Sequence, residues 1–233
     1  MISLDNCVFR QGQFTLSADW TLAAGEKAAV IGPSGGGKST LLGGIAGFLA
    51  PERGRVLLDG QDMRGRAPAD YPVHMLFQEG NLFADLTAMQ NVGLGLRPSL
   101  KLTNAEQEAV AEALDAVGLS RMMERKPAQL SGGQRSRVAL ARALLRDKPI
   151  LAMDEPFAAL GPALRREMLD LVGELLVARG KTLLMVTHSP ADARALSDKI
   201  ILVAGGTAHA PEPTEPLLDN PPPALADYLG EAF

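Results

Sequence analysis

Residues 32–40 read GPSGGGKST, between the apolar run AAVI at 28–31 and the apolar run LLGGIAGFL at 41–49. Four glycines and a lysine therefore stand where a strand hands over to a helix. Glycine loses more backbone freedom on folding than any other residue, so a cluster of it at such a joint points to a group that must approach the main chain closely. The stretch fits G-x-x-x-x-G-K-[ST], the phosphate-binding loop. Its glycines allow a tight turn whose amide N–H groups converge on one concavity, a nest for an anion. The helix that follows adds unpaired first-turn N–H groups and the positive end of its dipole. Gly32, Pro33, Ser34, Gly35, Gly36, Gly37, Lys38, Ser39 and Thr40 are thus the expected nucleotide-binding residues. Lys38 is suited to the β- and γ-phosphates, and the Ser39 hydroxyl to Mg²⁺, which prefers hard oxygen ligands. This motif names a ligand class but no reaction.

Three further stretches bear on the reaction. PILAMDEP (149–156) is an apolar run ending in two carboxylates. A buried strand of this kind places Asp154 near a metal at its end, and leaves Glu155 as a general base for an attacking water. LSGGQ (130–134), followed by RSRVALARALL, offers a second helix start with a serine cap and two glycines, hence a second anion site. One nucleotide needs only one such loop. Thr187-His188-Ser189 follows the apolar run LLMV, and a histidine at a strand end is open to a structural or a catalytic reading.

Outward from these motifs, strands are expected near Ser3–Phe9, Phe14–Leu22, Lys27–Ile31, Arg55–Leu58, Ile150–Met153, Thr182–Val186 and Lys199–Val203. Helices are expected over Asn104–Val117, with Asn104 as cap, over Ser131–Leu145 and over Pro162–Ala178. Strands alternating with helices predict an α/β domain with a mostly parallel sheet. The whole of 1–233 reads as one domain, its core about 1–85 and 131–233 and its helical lobe about 86–130. The proline-rich tail APEPTEPLLDNPPPALADYLG is expected to pack as extended chain and a short helix, without chemistry.

The 233 residues carry a formal charge of −4, which argues against nucleic-acid binding through net positive charge. The one cysteine, Cys7, excludes an intramolecular disulfide and suggests a reducing compartment. The N-terminal stretch lacks the pattern of a signal peptide, and no run has the length of a membrane span.

Taken in order, these residues resemble the ATP-binding subunit of ATP-binding cassette (ABC) transporters, over nearly the whole chain. GPSGGGKST is similar to the Walker A loop, Gln78 in MLFQEGNLF to the Q-loop glutamine, LSGGQ to the signature sequence, ILAMDEP to Walker B, and His188 to the switch histidine. The resemblance implies a P-loop NTPase cassette: a parallel-sheet core, an N-terminal antiparallel β subdomain and a helical subdomain. It implies ATP and Mg²⁺, with Ser39, Gln78 and Asp154 as metal ligands, Glu155 and His188 as catalytic residues, and Phe9 stacking on adenine, Phe14 being the alternative. It also accounts for the second anion site. Two subunits pair head to tail, and Ser131, Gly132, Gly133 and Gln134 of one contact the ATP of the other. The implied partners are a second copy, integral membrane permease subunits and a periplasmic or extracellular solute-binding protein, with no nucleic acid; the implied place is the cytoplasmic face of the membrane. Leu82, Phe83, Leu86 and Met89 form the expected permease dock. Within the family, DYPVHMLFQEGNLFADLTAMQNVGLGL, QLSGGQRSRVALARALLRDKPIL and TLLMVTHSPADA are most similar to ATPases of thiamine importers; importers of iron, sulfate or polyamines, and a non-transport phosphotransferase or chromosome-maintenance-type ATPase, stay open. One departure stands out: AALG at 158–161 replaces the family's usual S-A-L-D, so Gly161 occupies the place of an aspartate.

Overall fold

The computed structural model describes residues 1–77, 82–146 and 148–230. Strand β1 (Ile2–Gln11) shows how local sequence sets its shape. Ile2 and Leu4 are buried, then Cys7 and Phe9, so the two-residue alternation slips by one. The slip is a bulge: pairing with β2 (Phe14–Leu22) shifts register between Leu4 and Cys7, and Asn6 takes a positive φ of 46°. Asparagine is among the few side chains that tolerate that region.

After β3 (Lys27–Ile31) come α1 (Lys38–Ile45), β4 (Arg53–Leu58), β5 (Gln61–Asp62) and β6 (Val73–Leu76). Helices α2 (Ala88–Gly93), α3 (Asn104–Ala116) and α4 (Gly132–Leu145) follow. Then strands and helices alternate: β7 (Ile150–Asp154), α5 (Pro162–Arg179), β8 (Thr182–Val186), α6 (Pro190–Leu196) and β9 (Lys199–Ala204). The tail holds β10 (Thr207–Ala208), β11 (Glu212–Pro213), α7 (Thr214–Asp219) and α8 (Pro223–Gly230). Among the described residues the strands form one mixed sheet in the order β5-β4-β1-β2-β10-β9-β3-β8-β7-β6, with β11 on β9. Strands β9, β3, β8, β7 and β6 run parallel, and β5, β4, β1 and β2 antiparallel. This is the α/β cassette architecture expected from the sequence. Strand β6 was not among the expected strands: Val73–Leu76 is four residues long, and only its pairing with β7 marks it as a strand.

The parallel strands are buried on both faces, which is why they read as continuous apolar runs. Ala28 and Val30, Ile150 and Ala152, Leu184 and Val186, and Ile201 and Val203 all join one cluster with α1 residues Leu41, Leu42 and Ile45. On the opposite face, Leu151, Met153, Leu183 and Met185 share a cluster with α2 to α5, while Ala29, Ile31, Ile200 and Leu202 lie under α6, α7 and α8. Helix α3 starts where expected but is capped one residue earlier. Thr103, with Glu106, makes a reciprocal capping box, T-x-x-E, in place of the expected Asn104.

Candidate active site

The loop between β3 and α1 has no space for side chains at its tightest points. A Cβ on Gly32 would come within 2.0 Å of the Val203 carbonyl oxygen on β9, and Gly37, with φ of 105°, would place one 2.7 Å from the Phe14 ring. Lys38 is 6% exposed and donates to the carbonyls of Gly32 at 2.7 Å and Pro33 at 3.0 Å. Burial lowers its pKa, while the negative charges of Glu155 and Asp154 act the other way. An ammonium ion folded onto its own loop is ready to exchange carbonyls for phosphate oxygens.

The parallel strands bring the two carboxylates to the same place. Asp154 ends β7 and hydrogen-bonds the Ser39 hydroxyl. Burial raises its pKa, against the pull of that hydrogen bond and of the Lys38 charge. A cation at this spot would reverse the raised pKa. The hydroxyl of Ser39 and the carboxylate of Asp154 are hard oxygen donors already in contact, and they fit Mg²⁺. Among the described residues no group of three or more His, Cys, Asp or Glu could hold a metal, so phosphate oxygens and water would complete the shell. Glu155, next in the chain, has φ of 46° and donates its N–H to the Val186 carbonyl at 3.2 Å. The turn aims its side chain at the histidine after β8: Glu155 Oε1 lies 2.5 Å from His188 Nε2. Ser34, Gly35, Gly37, Lys38, Ser39, Thr40, Glu155 and His188 line one open cleft of about 380 Å³.

The histidine's backbone is held from both sides. Thr187 Oγ1 donates to Asp192 Oδ2 at 3.1 Å and accepts the Ser189 N–H at 3.1 Å. Asp192 in turn accepts Arg165 Nε at 2.8 Å. Arg165 carries no sequence signal, because its proximity comes from α5 packing on α6, whereas Asp192 lies in the first turn of α6, three residues after the Ser189 cap. Gln11 was likewise missed; it lines the cleft and accepts the Thr40 hydroxyl at 3.3 Å.

Phe9 is 0% exposed, and its ring lies where a Cβ on Gly44 of α1 would come within 2.3 Å. A stacking platform must be reachable, so Phe9 is a core aromatic and is corrected as an adenine contact. Phe14, partly buried, lines the cleft beside Gly37 instead. The signature residues are not part of this cleft. Ser131 Oγ accepts the Gln134 N–H at 3.3 Å, and Gln134 Oε1 accepts the Ser131 N–H at 2.9 Å, a capping box at the head of α4. Ser131 and Gly132 are exposed and Gly133 is buried. Gln78 lies outside the described residues.

The glycine loop, Lys38, Ser39, Glu155 and His188 share one cleft, and the helix start at Ser131 is not among the residues that line it. A model of the ABC transporter family matches residues 16–158. The chain belongs to the ABC transporter family. It is 57% identical over 230 residues to the thiamine import ATP-binding protein ThiQ of Cereibacter sphaeroides, covering 99% of this chain and 100% of the relative. It is 55% identical to the protein of the same name from Ruegeria sp., over 99% of this chain and all of that one. A solved nucleotide-free ATP-binding cassette from an ABC transporter superposes with a TM-score of 0.86 at 26% identity, covering 98% of each chain. A dimeric cassette in a post-hydrolysis state, bound to ADP and phosphate, superposes with a TM-score of 0.79 at 30% identity, over 92% of this chain and 99% of that one.

Proposed function

We propose that this chain is the ATP-hydrolysing subunit of a thiamine importer, working as a head-to-tail pair on integral membrane permease subunits at the cytoplasmic face of the membrane. A periplasmic or extracellular solute-binding protein would deliver the cargo. The observation that carries the hydrolytic part is the meeting of Lys38, Ser39, Glu155 and His188 in one cleft, with Asp154 beside Ser39 and LSGGQ outside the cleft. A second copy supplies the missing wall: its Ser131, Gly132, Gly133 and Gln134 close over the ATP, so nucleotide holds the pair together through charge-assisted hydrogen bonds from both helix starts. The cargo reading rests on the relatives named above, since an energising subunit need not touch what is transported.

Within the cleft, the amides of residues 32–40 and Lys38 hold the phosphates, and Phe14 is placed for the base. Ser39 and Asp154, with Gln78, would hold Mg²⁺, which when bound neutralises charge on the phosphates. Glu155 accepts a proton from the attacking water, and His188 orients the site at the γ-phosphate. Loss of that phosphate opens the pair, and the permease converts the opening into alternating access.

The dock for the permease is the segment after β6. Phe83 is 57% exposed, while Leu82 and Met89 rest against the second apolar cluster. The buried amide of Asn91 holds this segment: its nitrogen shares two N–H groups among the carbonyls of Phe83, Leu86 and Thr87 at 3.0–3.1 Å, and its oxygen accepts the Phe83 N–H at 2.8 Å. Phe83 is therefore presented on a braced loop.

Replacing Glu155 with Gln keeps the shape and removes the base. Hydrolysis should fall by about a hundredfold or more, and size-exclusion chromatography at saturating Mg-ATP should show a dimer. A chain that stays monomeric, or that keeps the unmodified rate, refutes the shared-pocket reading. For the cargo, ATPase of the co-purified membrane complex should rise with thiamine plus binding protein and not with iron, sulfate or polyamines.

A further inference from the structure

The tail, expected to carry no chemistry, brings one side chain to the cleft. Helix α8 is pinned by Leu225 and Leu229, both buried in the cluster under β3 and β9. Tyr228, between them, is partly buried, and its hydroxyl reaches His188 Nδ1 at 3.0 Å and the His188 carbonyl oxygen at 3.3 Å. The two rings lie 6.4 Å apart, tilted by 46°. The other ring nitrogen of His188, Nε2, is the atom 2.5 Å from Glu155 Oε1.

We propose that Tyr228 is a positioning residue for His188, its hydroxyl fixing the imidazole so that Nε2 faces the catalytic carboxylate and the cleft. The inference rests on the reading of His188 and Glu155 as site residues. Thr187 and Ser189 already hold the histidine's backbone through Asp192, so what remains free is rotation of the ring. Among the described residues two groups restrain that rotation: Glu155 and Tyr228. Glu155 loses its charge when it takes a proton from water, so its pull on Nε2 changes during the reaction, whereas the tyrosine's hold on Nδ1 does not. Its hydroxyl suits both forms of the ring. Toward a neutral ring it donates to Nδ1, which leaves the proton on Nε2 for Glu155. Toward a ring protonated on both nitrogens it accepts from Nδ1 and donates to the His188 carbonyl. Burial, and then the negative charge of Glu155, push the phenol's pKa up, so the hydroxyl keeps its proton at neutral pH. The orientation of the ring therefore does not depend on its proton count.

The test is a double-mutant cycle on the full chain in its native membrane complex, with Tyr228→Phe, His188→Ala and both. Tyr228→Phe keeps the ring and its packing and removes only the hydroxyl. The expected result is kcat lowered roughly tenfold, the worth of one hydrogen bond, with KM for ATP and Tm unchanged, and no further loss when added to His188→Ala. An unmodified kcat in Tyr228→Phe overturns the positioning role and leaves the site reading standing. An additive loss in the double variant also overturns it, because the tyrosine would then act elsewhere. An unmodified kcat in His188→Ala overturns both. As a readout that needs no turnover, imidazole ¹⁵N signals of the full chain should show the Nε2–H form of His188, shifting to a mixture of tautomers in Tyr228→Phe. Signals that the substitution does not change refute the proposal.

Discussion

His74, on β6, allows a pH experiment whose size follows from the structure. It is 8% exposed, and among the described residues its Nδ1 has no hydrogen-bond partner. Burial pushes its pKa down from 6.5 to about 4, and the positive charges of Arg142, Arg146, Lys181 and Lys148 push the same way. A folded pKa below the unfolded one means that, between pH 4 and 6.5, the unfolded chain binds a proton that the folded chain refuses. Stability therefore rises with pH through that window and is lost as pH falls from 6.5 toward 4. Between pH 7 and pH 5 the loss assigned to this one group is about 2 kcal/mol, at about 1.36 kcal/mol for each unit of pKa difference. Replacing His74 with Gln removes the titration and leaves every other group in place. Urea unfolding of both proteins at pH 7, 6 and 5 gives the difference directly, because effects of the carboxylates are common to the two. The unmodified chain should lose about 2 kcal/mol more than the variant over that range. Parallel stability curves would mean that His74 is solvated or paired in the folded state, and the burial argument would fail.

Two further experiments follow from the geometry. Phe14→Ala should weaken ATP binding measured by calorimetry with little change in Tm, whereas Phe9→Ala should cost about 3–5 kcal/mol in urea unfolding; a Phe9 variant of ordinary stability that loses ATP affinity would return the adenine contact to Phe9. Gly161 is the N-cap of α5 in extended conformation, has no side chain to cap with, and would meet nothing within 4 Å if given a Cβ. Gly161→Asp should therefore be accepted with a gain of a few tenths of a kcal/mol at most, and thermal unfolding that falls by several degrees would show a clash the structure does not contain.

The parts of this protein legible in its sequence are those whose signal is local. Gly32 and Gly37 announce the phosphate loop because a side chain there would strike the Val203 carbonyl and the Phe14 ring. The parallel strands announce themselves because burial on both faces demands unbroken apolar runs. Ser131 marks the start of α4 because a serine cap acts on amides only a few residues further along. Tertiary structure decided what depends on distant segments meeting. The strand at Val73–Leu76 exists through its ladder to β7, and Phe9 and Phe14, equivalent as aromatic letters on adjacent strands, differ because α1 covers one and leaves the other at the cleft. Arg165 and Tyr228 reach the loop of His188 from helices elsewhere in the chain, and no spacing in the sequence encodes such a meeting. A side chain's chemistry is set by its own atoms, but its role is set by what the fold puts beside it.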